Sequence, residues 1–150
     1  MTETPMRVAV VGRNAGVDGP LWAGRGHRVY AADSDDAHIA AARQRSREAG
    51  LGIVYELAHA GALPWPDRSM DLCIVPELIG RAADWRACLS ECVRVLRPGG
   101  ALHLGTTDLG WLARRRLRRQ LAPHGLTRLE RSSVADAVPR AILTAIKRAS

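Results

Sequence analysis

Two features near the start of the chain have the residue types and spacing to hold a nucleoside-like ligand. Gly12 to Gly16 (GRNAG) directly follows the apolar run 7–11 (RVAVV). Glycine adopts backbone conformations that other residues avoid, and it lets a ligand approach the main chain closely. Asp33 follows a second apolar run, and a carboxylate there can accept hydrogen bonds from the hydroxyls of a ribose. The alternative is that the glycines only form a turn and that Asp33 only caps a helix.

A parallel sheet is needed to position these residues, and the order of the apolar runs predicts one. Short Val-rich runs predict strands, and the longer segments between them predict helices. Strands alternating with helices predict a doubly wound α/β sheet, in which ligands bind at the carboxyl ends of the strands. Two β-like runs at the end predict an antiparallel hairpin, and the whole of 1–150 is predicted to be a single domain. The predicted strands are 7–11, 27–32, 52–57, 70–75, 101–105, 127–134 and 140–147, and the predicted helices are 18–23, 35–49, 84–96 and 109–122.

The second half of the chain contains a longer and more specific pattern. Leu63 to Asp71 (LPWPDRSMD) resembles the LPFPDxSFD segment of class I S-adenosylmethionine-dependent methyltransferases. Glu91 to Gly100 (ECVRVLRPGG) resembles the ExxRVLRPGG segment that ends a helix in the same family. Asp33 then falls where the family has its VDxS ribose contact. The resemblance is to the type 11-like methyltransferases, and it covers about residues 7–105.

The resemblance implies a Rossmann-like methyltransferase sheet and S-adenosyl-L-methionine as the cofactor. The glycine turn would face the methionine part of the cofactor, Asp33 the ribose, and His59 with Ala60 the adenine. Methyl transfer to an activated nucleophile depends largely on proximity and orientation, so no catalytic residue is predicted. Glu77 can accept a proton from a substrate, although its place favours a surface carboxylate at a helix start. The implied cofactor-binding residues are Gly12, Arg13, Asn14, Gly16, Asp33, Ser34, His59, Ala60, Pro76 and Glu77.

The first glycine motif departs from the family pattern. The family has an acidic residue followed by x-Gly-x-Gly-x-Gly, whereas the matching positions here are Val10, Gly12, Asn14 and Gly16. Asn tolerates left-handed backbone conformations, so the turn can survive. The missing carboxylate matters more, because it helps to order the methionine end of the cofactor. His59 also stands where the family often has an Asp that contacts the adenine amino group.

These departures leave several functions open. The first is an S-adenosylmethionine-dependent methyltransferase that acts on a small-molecule acceptor. The second is a methyltransferase-like domain that has lost catalysis and serves as a binding or interaction module, with another protein as its partner. A nicotinamide-dinucleotide domain is suggested by Val10 to Gly12 (VVG), but the LPWPD and RPGG segments speak against it.

The charge of the chain raises the question of a nucleic-acid partner. The formal net charge is +7, and Arg114 to Arg119 (RRRLRR) is strongly basic. Leu109, Ala113, Leu117 and Leu121 recur every four residues, which predicts a helix with an apolar stripe and a solvated arginine face. No aromatic residues interleave to stack on bases. A nucleic-acid partner is therefore not favoured.

The cysteines bear on metal binding and on compartment. Cys73, Cys88 and Cys92 form no CxxC pair and have no further ligands at suitable spacing, so no metal site is predicted. Buried free thiols are typical of a reducing cytoplasm. No apolar run has the length of a membrane span, and no signal peptide is visible. A cytoplasmic protein is predicted, and its oligomeric state is left open.

Overall fold

A computed structural model describes residues 4–12, 15–76, 85–106, 111–132 and 141–149 of the chain. Strands and helices alternate along these ranges. The strands are β1 (Arg7–Val11), β2 (Arg28–Asp33), β3 (Val54–Leu57), β4 (Met70–Val75), β5 (Leu96–Thr106), β6 (Leu126–Ser132) and β7 (Ala141–Lys147). The helices are α1 (Ala15–Gly24), α2 (Asp36–Glu48), α3 (Trp85–Val95) and α4 (Trp111–Leu121), followed by a 3₁₀ turn at Ala122–His124.

The strands form one sheet in the order β3-β2-β1-β4-β5-β7-β6. The first five strands in that order run parallel, and β7 pairs antiparallel with both β5 and β6. The predicted doubly wound sheet with an antiparallel C-terminal pair is confirmed. Strand order reverses between β1 and β4. Strands β2 and β3 lie on one side of β1, whereas β4 and β5 lie on its other side. Ligands of such sheets bind beside this point, at the carboxyl ends of the strands.

The sheet is covered on both faces, as its sequence pattern requires. Successive strand residues point to opposite faces. Val8 and Val10 of β1 pack in one cluster with Ile39 of α2, whereas Ala9 and Val11 pack in the other with Leu89 of α3. Since all four β1 residues are essentially inaccessible to solvent, β1 reads as a continuous apolar run, as buried parallel strands do.

Helix α1 begins earlier than the sequence predicts. A loop is expected over 12–19, but the helix starts at Ala15 and includes Gly16, Gly19 and Pro20. Gly and Pro are poor helix formers, so the local pattern predicts a loop. The helix nevertheless packs on the sheet, since a Cβ on Gly19 would lie at an ordinary contact distance of 3.6 Å from Val29 and from Ile53. Tertiary contacts thus override weak local preference.

The RPGG segment also differs from its prediction. A helix to Leu96 and a strand over 101–105 are expected, but α3 ends at Val95 and β5 already begins at Leu96. The pairing of β5 with β4 shifts register between Met70 and Leu72, so the segment forms a bulge inside the strand. Gly99 has φ +79°, and a Cβ on Gly100 would lie 2.8 Å from the carbonyl oxygen of Arg97. The two glycines are therefore what the bulge requires.

The remaining differences are small shifts at element ends. Strand β2 runs one residue later than predicted, β3 begins two residues later, and β6 ends at Ser132. The turn of the predicted hairpin, between the runs 127–134 and 140–147, and the first residue of the predicted helix 84–96 lie outside the described residues. Within the described ranges, no helix combines the length and apolarity that crossing a membrane requires.

Candidate cofactor site

The carboxyl ends of β1, β2 and β3 are tied together by backbone hydrogen bonds. The Gly12 N–H donates to the carbonyl oxygen of Ala32 over 2.9 Å, and the Ala58 N–H donates to that of Asp33 over 3.0 Å. Asp33 is the last residue of β2, and its side chain is only 8% exposed. The fold therefore fixes a buried carboxylate beside the backbone of the glycine turn.

The Asp33 carboxylate is held by the start of α2. Its Oδ1 accepts from the Asp35 N–H over 2.9 Å, and its Oδ2 lies 3.2 Å from His38 Nδ1. The cap of α2 is Asp35, whose side chain accepts from the N–H groups of Ala37 and His38. The cap of this helix is therefore Asp35 rather than Asp33.

A cavity of about 450 Å³ opens beside Asp33. This volume lies within the range of small-molecule and cofactor sites. Gly12 has φ +109°, and no atom lies within 4 Å of the place that its Cβ would occupy, so its backbone borders open space. The lining residues are Gly12, Ala32, Asp33, Ser34, Asp35, Asp36, His38, Ala58 and Ala60. Of the residues implied by the sequence, Gly12, Asp33, Ser34 and Ala60 are thus brought together.

Other implied residues lie elsewhere. His59 does not line this cavity: it is exposed, and its Nδ1 accepts from the Gly61 N–H over 3.1 Å, which shapes the loop. Gly16 belongs to α1 rather than to the expected loop. Pro76 is buried where β4 approaches β5, since a Cβ on Gly105 would lie 2.0 Å from the Pro76 carbonyl oxygen. Arg13, Asn14 and Glu77 lie outside the described residues.

Sequence reasoning missed three polar wall residues, Asp35, Asp36 and His38, and the apolar Ala32 and Ala58. A signal for the polar ones exists, because a helix that starts three residues after Asp33 has its first turn near the carboxyl end of β2. Ala58 directly follows β3, as Asp33 ends β2. The described part of the wall consequently carries three carboxylates and one imidazole.

The two segments that resemble a known family bind each other. Arg94 of α3 donates to the carbonyl oxygens of Leu63 and Trp65 over 3.0 and 2.9 Å. Glu91 accepts from the Leu63 N–H over 2.7 Å and from Arg94 over 2.7 Å. The Arg94 guanidinium holds the pKa of the Glu91 carboxyl below its usual range. The ExxR and LPWPD segments therefore form one structural unit, which fixes the loop that follows Ala60.

Comparison with known proteins decides the family. A family model for the methyltransferase domain matches residues 10–104. The chain belongs to this methyltransferase family. A ubiquinone biosynthesis O-methyltransferase from Parvibaculum lavamentivorans is 30% identical over 73% of this chain and 49% of its own length. The methyltransferase domain described here thus spans about half or less of the curated relatives that it matches.

Solved structures show the same methyltransferase fold. The 1,6-didemethyltoxoflavin-N1-methyltransferase of Burkholderia thailandensis, solved with S-adenosylhomocysteine, has a TM-score of 0.74 at 18% identity, over 97% of this chain and 72% of that one. The cyclase SpnF has a TM-score of 0.77 at 20% identity, over 97% of this chain and 76% of that one. The expected class I, S-adenosylmethionine-dependent methyltransferase fold is confirmed. Because a cyclase shares it, the fold by itself does not choose the reaction.

One departure from the family motif has a clear structural setting. Val10 stands where the family has an acidic residue, and it is fully buried between Ala31 of β2 and Ile74 of β4. Its neighbours on that face of the methyltransferase domain are apolar. The position is therefore part of the core beneath the glycine turn.

Two further groups of residues lie away from the cavity. Cys73, Cys88 and Cys92 are free, buried thiols, and the described residues contain no group of His, Cys, Asp or Glu that could hold a metal ion. On α4, Leu117 and Leu121 are buried while Arg115 and Arg119 are exposed. The predicted apolar stripe is confirmed at these two leucines, whereas nothing is described of the side chains of Leu109 and Ala113.

Proposed function

We propose that this chain binds S-adenosyl-L-methionine in the cavity beside Asp33 and transfers its methyl group to a small-molecule acceptor. The observation that carries the proposal is the buried Asp33 carboxylate at the carboxyl end of β2, which opens onto a cavity of about 450 Å³ beside Gly12. Membership of the methyltransferase family supports the choice of cofactor. The binding of that cofactor by this chain and the transfer itself are the proposal.

The nucleoside half of the cofactor fits the residues of this cavity. Asp33 is buried and can accept hydrogen bonds from the ribose hydroxyls. Gly12 has no side chain to obstruct a ligand, and Ser34 adds a hydroxyl at the exposed rim. Ala58 and Ala60 give the wall small apolar side chains, which suit contact with the flat adenine ring. The fit at the methionine end rests on resemblance alone, with Arg13, Asn14 and Gly16 as the proposed contacts.

The family match speaks against the nicotinamide-dinucleotide alternative. The model for the methyltransferase domain matches residues 10–104. Among the described wall residues, Asp33, Asp35 and Asp36 are carboxylates, and His38 lies beside two of them. S-adenosylmethionine brings no phosphate group toward them.

The chain's own contribution to the reaction is binding and orientation. S-adenosylmethionine, when bound, supplies a methyl group on a sulfonium centre for transfer to a nucleophile. Asp33 and Gly12 would fix the nucleoside, so that the acceptor meets the methyl group in a productive geometry. The resemblance places Pro76 and Glu77 near the transferring methyl group; with Pro76 buried, Glu77 is the proposed proton acceptor there. The buried thiols are in keeping with the proposed cytoplasmic location.

A transfer assay tests the proposal. The purified chain is incubated with methyl-labelled S-adenosylmethionine and a fractionated pool of small metabolites. Label should enter a small product while an equal amount of S-adenosylhomocysteine forms, and Asp33→Ala should reduce both together. If the wild type binds the cofactor but forms neither product with any fraction, the binding-module alternative replaces the enzyme.

A further inference from the structure

Among the described wall residues, His38 has a side chain that lies between two carboxylates of the cavity. Its Nδ1 lies 3.2 Å from Asp33 Oδ2, and its Nε2 lies 3.9 Å from Asp35 Oδ2. An ionised carboxylate only accepts hydrogen bonds, so Nδ1 must carry the hydrogen in the shorter contact. His38 therefore donates to the carboxylate that is proposed to bind the ribose.

The geometry leaves Asp33 with a matched pair of free acceptor positions. A carboxylate has about four lone-pair positions, two on each oxygen. The Asp35 N–H occupies one on Oδ1, and His38 occupies one on Oδ2. One position remains on each oxygen, and a ribose presents two neighbouring hydroxyls. The two donors among the described residues thus restrain the carboxylate where it lines the cavity and leave each oxygen an acceptor position for one hydroxyl.

We propose that His38 is a positioning residue, which orients Asp33 for the ribose of the cofactor and so favours a ligand with both hydroxyls. The inference rests on the proposed function. The hydrogen bond from Asp35 comes from its backbone N–H and does not depend on the side chain at that position. The contact from His38 comes from its side chain, so a substitution can remove it. Hydrogen bonds to charged groups are strong enough for its removal to be measurable.

Replacing His38 leaves the local fold in place. The His38 side chain is 46% exposed, so no core packing is lost. The helix cap uses the backbone N–H of His38 and the Asp35 side chain, neither of which changes on substitution at this position. A change in ligand binding can therefore be separated from a change in stability.

Three substitutions distinguish orientation from simple presence of a polar group. His38→Asn can place an N–H near the position of Nδ1, His38→Gln reaches toward the position of Nε2, and His38→Leu places none. Calorimetric titration should show that His38→Leu and His38→Gln weaken the binding of S-adenosylhomocysteine about tenfold or more, while His38→Asn stays within about threefold of the wild type. His124→Leu, on the 3₁₀ turn after α4, is the matched control and should bind like the wild type.

An analogue of S-adenosylhomocysteine that lacks both ribose hydroxyls completes the test. Wild type and His38→Leu should bind it equally, because the hydroxyls that His38 serves are gone. Equal binding of S-adenosylhomocysteine by wild type and His38→Leu overturns the inference but leaves the proposed function standing. The same loss with both ligands, or no rescue by His38→Asn, also overturns it. A wild type that binds neither ligand overturns the inference together with the proposed function.

Discussion

Arg94 and Asp67 form an ion pair with 2.7 Å between Nη1 and Oδ1, although 27 positions separate them in the chain. Asp67 is largely exposed, so this pair alone stabilises little. The pair belongs to a larger cluster, because the Arg94 guanidinium also donates to the Glu91 carboxylate and to the carbonyl oxygens of Leu63 and Trp65. One arginine of α3 thus holds the loop that contains Leu63, Trp65 and Asp67 against that helix.

Loss of Arg94 should therefore destabilise the fold far more than loss of an exposed arginine. Arg94→Ala leaves the Leu63 and Trp65 carbonyls and the Glu91 carboxylate without this donor. We expect the free energy of unfolding to fall by about 2–4 kcal/mol in denaturant titration. Arg115→Ala, on the solvated face of α4, should change it by less than about 0.5 kcal/mol. Equal effects of the two substitutions would show that the loop is not held in this way.

The same cluster predicts a pH dependence of stability. Arg94 lowers the pKa of Glu91 in the folded state. A group whose folded pKa is depressed stabilises the fold above its unfolded pKa, about 4.3, and that stabilisation is lost as pH falls through the folded pKa. Wild type should thus lose more stability than Glu91→Gln between about pH 5 and pH 3. Urea unfolding at the two pH values measures the difference, and parallel losses would contradict the assignment.

Val10 provides a prediction about the altered glycine motif. Val10→Asp buries a carboxylate among apolar neighbours and should lower the free energy of unfolding by about 3–5 kcal/mol. The loss should shrink at low pH, where protonation removes the buried charge. Val10→Ala, which only removes volume, should cost less and show no such pH dependence. An Asp variant that is as stable as the wild type at neutral pH would mean that this position reaches solvent or a cationic partner.

The framework of the fold could be predicted from the sequence because its strongest signals are local. The β1 and β4 runs were bounded correctly, since both are short, apolar and flanked by turn residues. Gly19 and the RPGG segment could not be placed in this way. Gly19 lies in a helix that packs on the sheet, and the bulge at Gly99 and Gly100 depends on pairing with β4. Both are tertiary effects, which a local pattern does not contain.

The candidate site likewise contains some positions that the sequence predicts and others that it does not. Asp33 and Gly12 could be predicted because the ends of parallel strands converge, whatever the details of the loops. The sequence does not show which residues of a loop face a cavity. Here the neighbours of His59, Ala58 and Ala60, line the cavity, whereas the His59 side chain is exposed. His38 was missed because its proposed role follows from a contact with Asp33 that the first turn of α2 creates.

The arginines of α4 test the solvated-face interpretation. Neutralising Arg115, Arg116 and Arg119 together should leave the melting temperature nearly unchanged, because exposed charges contribute little to stability. It should also leave the affinity for S-adenosylhomocysteine unchanged. If the wild type binds RNA with a steep salt dependence that the triple variant loses, these arginines form a nucleic-acid surface instead.

The most direct measurement is a paired calorimetric titration of S-adenosylhomocysteine into the wild type and Asp33→Ala, with Glu48→Ala, at the exposed end of α2, as the matched carboxylate control. We predict that the wild type and Glu48→Ala bind with a dissociation constant below about 100 μM. Asp33→Ala should lose about 1.5–3 kcal/mol of binding free energy, because hydrogen bonds to a charged acceptor disappear. No heat with the wild type at millimolar ligand, or equal affinities for all three proteins, would contradict a cofactor site at Asp33.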